Sequence, residues 1–295
     1  PQITGIATSV FELTKKLADR GHRIYIVSPK YGGFSYSHPN IHPIFCQSIP
    51  LFYQNTKLAL PFNPRIVQML KREKVDVVHV HTLMTLGLNA ILAAKILKLP
   101  IVGTFHSFVM DRLYLKHIKL DYTVVEQWVW NYAKFMYNKC DLIVCPSEGS
   151  SIELKKRHWK QPIRVIPLGL DLKIFDNTKA QLVRAKYGKN SKLLLFVGRI
   201  AYEKNIPYLL ECFSLVLEKV RNAKLLIVGD GPQMAEVKKK IAELDMDGSV
   251  ILFGAIEREK LVKSGIYGAC DLFVHASTTE TGPLTVLEAQ ANGLV

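Results

Sequence analysis

The feature that most constrains this chain is an alternation. Short runs rich in Val, Ile and Leu recur along its whole length, separated by longer stretches with helical spacing. Strands that are apolar on both faces belong inside parallel sheets, and parallel neighbours must be joined by crossovers, usually helices. The pattern therefore predicts an α/β protein with parallel sheets covered on both faces.

In the first half a helix is predicted over roughly Ile6 to Ala18, where Val10, Leu13 and Leu17 recur at spacings of three and four, with Gly21 as its C-terminal cap. The strand "RIYIVSP" and a glycine loop at Tyr31–Gly33 follow. Next come a helix near Asn63–Glu73, the strand "DVVHVHT", a helix near Leu86–Leu97 and the strand "IVGTFH". An amphipathic stretch over Asp111–Lys139 leads to the strand "DLIVCPS" and a helix at Gly149–Lys156. In "IRVIPLGLD", Pro167 and Gly169 interrupt the pattern, which places a linker near Leu170–Asp176. The second half repeats the alternation. "LLLFVG" precedes a helix at Ile206–Val220, and "KLLIVGDG" one near Met234–Leu244. "VILFG" precedes a helix near Glu257–Ser264, and "DLFVHAS" one starting near Pro283. Two Rossmann-like domains are expected, residues 1–170 and 171–295, with a further strand expected ahead of Gly5 and another where "ANGLV" stops, as though both ends were truncated.

Composition narrows the function. A chain of 295 residues, 48% apolar, can build two cores. No apolar run approaches the roughly 20 residues that span a bilayer. The five cysteines form no Cys-x-x-Cys pair, which reads as reduced, buried thiols of a cytosolic protein and not as a zinc site. Charge is uneven: residues 1–170 carry 22 Lys and Arg against 10 Asp and Glu, while residues 171–295 carry 17 against 15. A basic first half attracts phosphates, anionic lipid head groups or nucleic acid, although surface lysines also serve solubility alone.

In open parallel sheets, ligands bind at the carboxyl ends of the strands. After "DLFVHAS" comes Glu280-Thr-Gly-Pro-Leu-Thr-Val-Leu-Glu288, with Pro283 fitting the first turn of a helix. Glu280 then precedes the helix and Glu288 lies inside it. The helix start favours a phosphate, and paired carboxylates can grip sugar and ribose diols; a capping Glu and a solvated Glu are the plainer alternative. In "FVGRIAYEKN", Arg199 and Lys204 follow a strand end, where two cations can neutralise a diphosphate leaving group without a metal. His106 ends "GTFH". His79 and His81 share one face of "DVVHVHT", with His81 nearer the strand end and the better acceptor-side candidate. Gly5, at the entry to the first helix, permits close approach of a phosphate. "GDGP" at Gly229–Pro232 reads equally as a turn. Asp111–Lys139 interleaves Tyr114, Trp128, Trp130, Tyr132 and Phe135 with Arg112, Lys116, Lys119, Lys134 and Lys139, which suits either a membrane interface or packing on a sheet.

Taken together, these pieces resemble glycosyltransferase family 4 on the GT-B fold, in which two Rossmann-like domains face each other across a cleft. The order runs from the Gly5 loop through "RGHRIYIVSP", "VDVVHVHT", "GTFH", "CDLIVCPSEG", "VIPLGLD", "FVGRIAYEKN", "LLIVGDGP" and "VILFG" to the Glu-x7-Glu element. The resemblance implies a retaining, metal-independent enzyme with no cofactor, using a UDP- or GDP-sugar donor. It implies that Glu288 binds the ribose, Glu280 the donor sugar, and Arg199 and Lys204 the diphosphate. It also implies that His106 lies near the donor sugar and Gly5 near the phosphate. The family's usual Gly three residues after the first Glu is here Pro283, with Gly282 before it. Pro has no N–H, so Leu284 and Thr285 are expected to supply the donors. Leu168 replaces the usual Asn of the linker.

"GIATSVFELTKKLADRGHRIYIVSP" and "HTLMTLGLNAILAAKILKLPIVGTFHSFVMD" are especially similar to diacylglycerol glycosyltransferases. With the basic first half, this predicts a lipid acceptor and an enzyme peripheral on the inner face of an anionic membrane. Synthesis of surface polysaccharide or of phosphatidylinositol mannosides is the alternative. A nucleotide-sugar 2-epimerase and a non-enzymatic sugar-binding protein are more remote. Nucleic acid is not expected, because it leaves the Glu-x7-Glu element unexplained.

Overall fold

The structure, a computed structural model, describes residues 5–30, 38–50, 57–60, 63–108, 115–116, 120 and 122–295. It forms two compact units. One holds residues 1–107 and 124–169, and the other residues 108–123 and 170–295. The glycine loop predicted at Tyr31–Gly33 lies outside the described residues, as do Arg112, Tyr114 and Lys119.

In the first unit, helix α1 (Gly5–Asp19) leads to strand β1 (Ile24–Pro29), which pairs in parallel with β2 (Ile41–Cys46). A short antiparallel pair follows, β3 (Ser48–Pro50) with β4 (Lys57–Ala59). Then α2 (Pro64–Arg72), β5 (Val78–Val80), α3 (Thr85–Ile96), β6 (Ile101–Thr104), α4 (Thr123–Tyr137), β7 (Leu142–Cys145), α5 (Glu148–Lys156) and β8 (Ile163–Val165) alternate. The last four strands form one parallel sheet in chain order. Local chemistry sets the helix starts. Asn63 accepts a hydrogen bond from the Arg65 N–H with Pro64 directly after it, and Ser147 accepts from the Ser150 N–H. The strand β2 was not predicted. Its Pro43 lacks the N–H that a ladder needs, so the segment does not read as a strand, and among the described residues it pairs on one side only.

The second unit holds α6 (Ala180–Gly188), β9 (Leu193–Val197), α7 (Ile206–Lys219), β10 (Lys224–Val228), α8 (Met234–Glu243), β11 (Val250–Gly254), α9 (Arg258–Val262), α10 (Ile266–Ala269), β12 (Leu272–Phe273) and α11 (Leu284–Ala291). Its four strands are parallel in the order β11-β10-β9-β12. Side chains alternate across the sheet, so neighbouring residues of one strand serve two cores. Phe196, Leu225 and Ile227 pack with Leu210 and Phe213 on one face. Leu193, Leu195, Leu226 and Val228 pack with Leu261, Tyr267 and Ala289 on the other. That division explains why these strands read as unbroken apolar runs.

Candidate functional site

The strand order decides where chemistry can gather in the second unit. From β9 the chain steps to β10 and β11 on one side; β12 then joins β9 on the other. The connections after β9 and β12 therefore leave in opposite directions, and a crevice opens between them at the carboxyl ends of the strands. Arg199 and Lys204 follow β9, and Glu280 follows β12.

Those residues meet. Lys204 Nζ forms an ion pair with Glu280 Oε1, both side chains being mostly buried. His275 Nε2 approaches the same oxygen at 3.4 Å. The Ser277 backbone N–H points to His275 Nδ1 at 3.4 Å, which leaves Nε2 facing the carboxylate. Burial pushes the Glu280 carboxyl up, but the His275 hydrogen bond and the Lys204 charge outweigh it and hold it at about 2. The two loops are also tied by backbone: Ser277 Oγ donates to the Glu203 carbonyl at 2.7 Å. Lys204 ends a single 3-10 turn, Tyr202–Lys204, closed by Asn205 in the left-handed conformation at φ 52°, which Asn tolerates better than most residues.

The "GDGP" segment proves more than a turn. Gly229 has φ 149°, and a Cβ there would lie 1.8 Å from the Gly198 carbonyl oxygen; one on Gly231 would lie 2.3 Å from that of Ile200. Ile200 N–H donates to the Asp230 carbonyl at 3.0 Å, and Gln233 N–H to the Ile200 carbonyl at 3.1 Å. The loop that carries Arg199 thus rests directly on the backbone of the next loop.

Pro283 takes the N-cap position, one residue earlier than predicted. Its carbonyl accepts from the Val286 and Leu287 N–H groups at 3.1 and 3.3 Å. The N–H groups of Leu284 and Thr285 precede the first intrahelical donor and have no acceptor within the helix. The Leu284 side chain is core; Gly282 and Thr285 are half-buried. Glu288 belongs to a separate set of contacts. Its side chain is 3% exposed, with Arg258 Nε at 2.6 Å from one oxygen and the Tyr267 hydroxyl at 2.8 Å from the other. Burial, then the Glu288 charge, pushes the Tyr267 phenol up, so it stays protonated and donates.

In the first unit the histidines converge. β5 and β6 are neighbours, so the residues just past their ends meet: His81 Nδ1 and His106 Nε2 are 2.8 Å apart. His79 bonds Thr104 Oγ1 at 2.6 Å and lies against His81, ring centroids 4.0 Å apart. Burial lowers all three, His79 and His106 to about 4 and His81 well below its usual range, and the neighbouring rings add to the effect on His81 and His106. Gly5 is the first residue of α1, exposed, and a Cβ there would meet nothing within 4 Å.

Sequence reasoning missed His275, Arg258 and Tyr267. His275 had a signal, since it stands at the end of "DLFVHAS", where sheet ligands gather. Arg258 and Tyr267 had none, because only packing brings their helices to α11.

Two nucleotide-type units, one with cations and a carboxylate at its switch point, define the class. The chain has the GT-B fold of glycosyltransferases. Solved structures that match 99% of it include sucrose-phosphate synthase from Thermosynechococcus elongatus (TM-score 0.74, 20% identity, 74% of that chain) and Anabaena Alr3699/HepE in complex with UDP (0.72, 18%, 76%). The profile of Glycosyltransferase Family 4 matches residues 3–174, and that of Glycosyl transferases group 1 matches residues 179–295. An alpha-monoglucosyldiacylglycerol synthase of Streptococcus pneumoniae is 31% identical over 99% of this chain and 67% of its own length. A synthase of the same name from Acholeplasma laidlawii is 28% identical over 100% and 76%. The chain belongs to glycosyltransferase family 4 and is a glycosyltransferase.

Proposed function

We propose that this chain transfers a hexose from a UDP- or GDP-sugar to a hydroxyl of a membrane lipid, with retention at the anomeric carbon. The observation that carries this reading is the Lys204–Glu280 pair at the switch point of the second sheet. An ammonium held by a carboxylate is stored where a diphosphate would arrive. Arg199 and Lys204 then balance the charge that grows on the departing diphosphate, and the Leu284 and Thr285 N–H groups at the start of α11 add donors. Glu280, released from Lys204 but still facing His275, accepts a sugar hydroxyl. Glu288, oriented by Arg258 and Tyr267, accepts the ribose. His106, paired with His81 and neutral at pH 7, is the first unit's candidate for the sugar, and Gly5 its candidate for the phosphate. The bond from the anomeric carbon to the diphosphate oxygen breaks. The acceptor oxygen bonds the same face, and its proton passes to the leaving phosphate. The cationic pair makes this chemistry metal-independent.

The likeness to two alpha-monoglucosyldiacylglycerol synthases favours a diacylglycerol-type acceptor over a soluble glycan. No helix among the described residues is long and apolar enough to cross a membrane. The basic first unit would hold the enzyme on the anionic cytoplasmic face as a peripheral protein. The test is incubation with a panel of UDP- and GDP-sugars, diacylglycerol in anionic liposomes, and EDTA. Released nucleotide and labelled lipid are measured, and the anomeric configuration is read by NMR. Labelled soluble glycan without labelled lipid overturns the acceptor. Donor converted without any acceptor points to an epimerase, and activity abolished by EDTA removes metal independence.

A further inference from the structure

Strands β5, β6, β7 and β8 lie in chain order, so right-handed crossovers put α3, α4 and α5 on one face of their sheet. Helix α2 packs beside α3. The Tyr132 hydroxyl of α4 donates to the Leu83 carbonyl, just before α3, at 2.8 Å. Lys134 Nζ of α4 donates to the Arg157 carbonyl, just after α5, at 2.9 Å. The layer therefore runs α2, α3, α4, α5.

The inward faces of α3 and α4 are buried through Ile91, Ala94, Trp130, Ala133 and Met136. Their outward faces are apolar as well. Leu92 and Ile96 stand one turn apart on α3, 45% and 65% exposed. Val124, Trp128 and Phe135 share a stripe on α4, at spacings of four and seven, and are 81%, 67% and 54% exposed. The two outer helices are basic. Helix α2 exposes Arg65, Lys71 and Arg72; α5 ends in the exposed Lys155 and Lys156, with Lys160 beyond. Lys139 Nζ stands 5.0 Å over the Phe135 ring. Several acids of the layer are engaged: Glu73 by Arg23 and Arg72, Asp141 by Lys95, Glu153 by Arg157.

We propose that this face, an apolar centre on α3 and α4 between basic margins on α2 and α5, docks on an anionic phospholipid surface. Trp128, Phe135, Val124, Leu92 and Ile96 enter the boundary between head groups and acyl chains, and the flanking cations meet the lipid phosphates. Cations on both margins suit a negatively charged plane. A second copy of this face would bring like charges together at its rim. The inference deepens the lipid-acceptor reading by naming the surface that meets the membrane.

The test is sedimentation of the purified chain with phosphatidylcholine vesicles, with and without about one third phosphatidylglycerol. Binding is expected on the anionic vesicles, at least about tenfold weaker without phosphatidylglycerol, and weakened by salt. Trp128→Ser with Phe135→Ser should lower it at least about tenfold with the melting temperature kept, since both side chains are exposed. Lys155→Glu with Lys156→Glu should lower it on anionic vesicles. A blue shift of tryptophan emission on vesicles should vanish in Trp128→Phe, because Trp130 and Trp159 are already buried. Unchanged sedimentation of both double variants overturns the proposal. So does a wild-type dimer that Trp128→Ser with Phe135→Ser converts to monomer. Transfer to acceptor in detergent micelles separates the two readings. Wild-type docking with no labelled lipid sinks the acceptor and leaves the docking face. Variants that lose docking yet label micellar acceptor normally support both.

Discussion

Replacing Glu280 with Gln keeps the shape of the side chain and removes its charge, leaving Lys204 and His275 facing a neutral amide. The cost can be worked from the structure. The carboxyl is held at about 2 against an ordinary value of 4.5, and each unit is about 1.4 kcal/mol, so its ionised form contributes on the order of 3 kcal/mol at pH 7. The sign follows from the lowered value. This contribution is complete above the unfolded value of 4.5 and is lost as pH falls toward about 2. By about pH 3.5 roughly 1 kcal/mol of it should be gone in the wild type and nothing comparable in the variant. The assay is the melting of the second unit, wild type against Glu280→Gln, at about pH 7, 5 and 3.5. The stability gap should be widest at neutral pH and narrow through the acid range. A double cycle with Lys204→Met isolates the pair, with a coupling of at least about 1 kcal/mol expected. A gap that does not change with pH, or a coupling near zero, would refute the claim that the pair is held in this geometry.

Arg199→Ala should cut nucleotide release by a factor on the order of 10²–10³ with melting unchanged; near-normal turnover removes its role at the diphosphate. Tyr267→Phe takes one donor from buried Glu288 and should weaken UDP binding roughly five- to tenfold by calorimetry; equal affinity in the variant would make Tyr267 a packing residue only. Gly229→Ala drives a Cβ to 1.8 Å from the Gly198 carbonyl oxygen and should lower the melting temperature of the second unit by roughly 10 °C; an unchanged melt would contradict the backbone contact. His106 is lowered to about 4, so the first unit should be fully stabilised above about pH 6.5 and lose up to about 1.4 kcal/mol per pH unit between there and pH 4. His106→Asn should flatten that slope in a pH series of melts.

The sequence by itself determined the alternation of strands and helices, because apolar runs such as "LLLFV" and helical spacings are local properties that burial in a parallel sheet enforces residue by residue. It also marked the loops proposed here to carry the chemistry, since Arg199, Lys204, Glu280 and His106 each stand just past a strand. What it could not decide was which of these meet. Lys204 finds Glu280, 76 residues on, because β12 joins the sheet beside β9 and not beside β11. Glu288 turns to Arg258 and Tyr267 because α9, α10 and α11 share a core. Strand order and helix packing are set by contacts distant in the chain, and no local pattern encodes them. The same limit hid the outward apolar stripe on α4. Spacing cannot distinguish an aromatic that faces the sheet, as Trp130 does, from one that faces solvent, as Trp128 does, until the strands beneath it are in place.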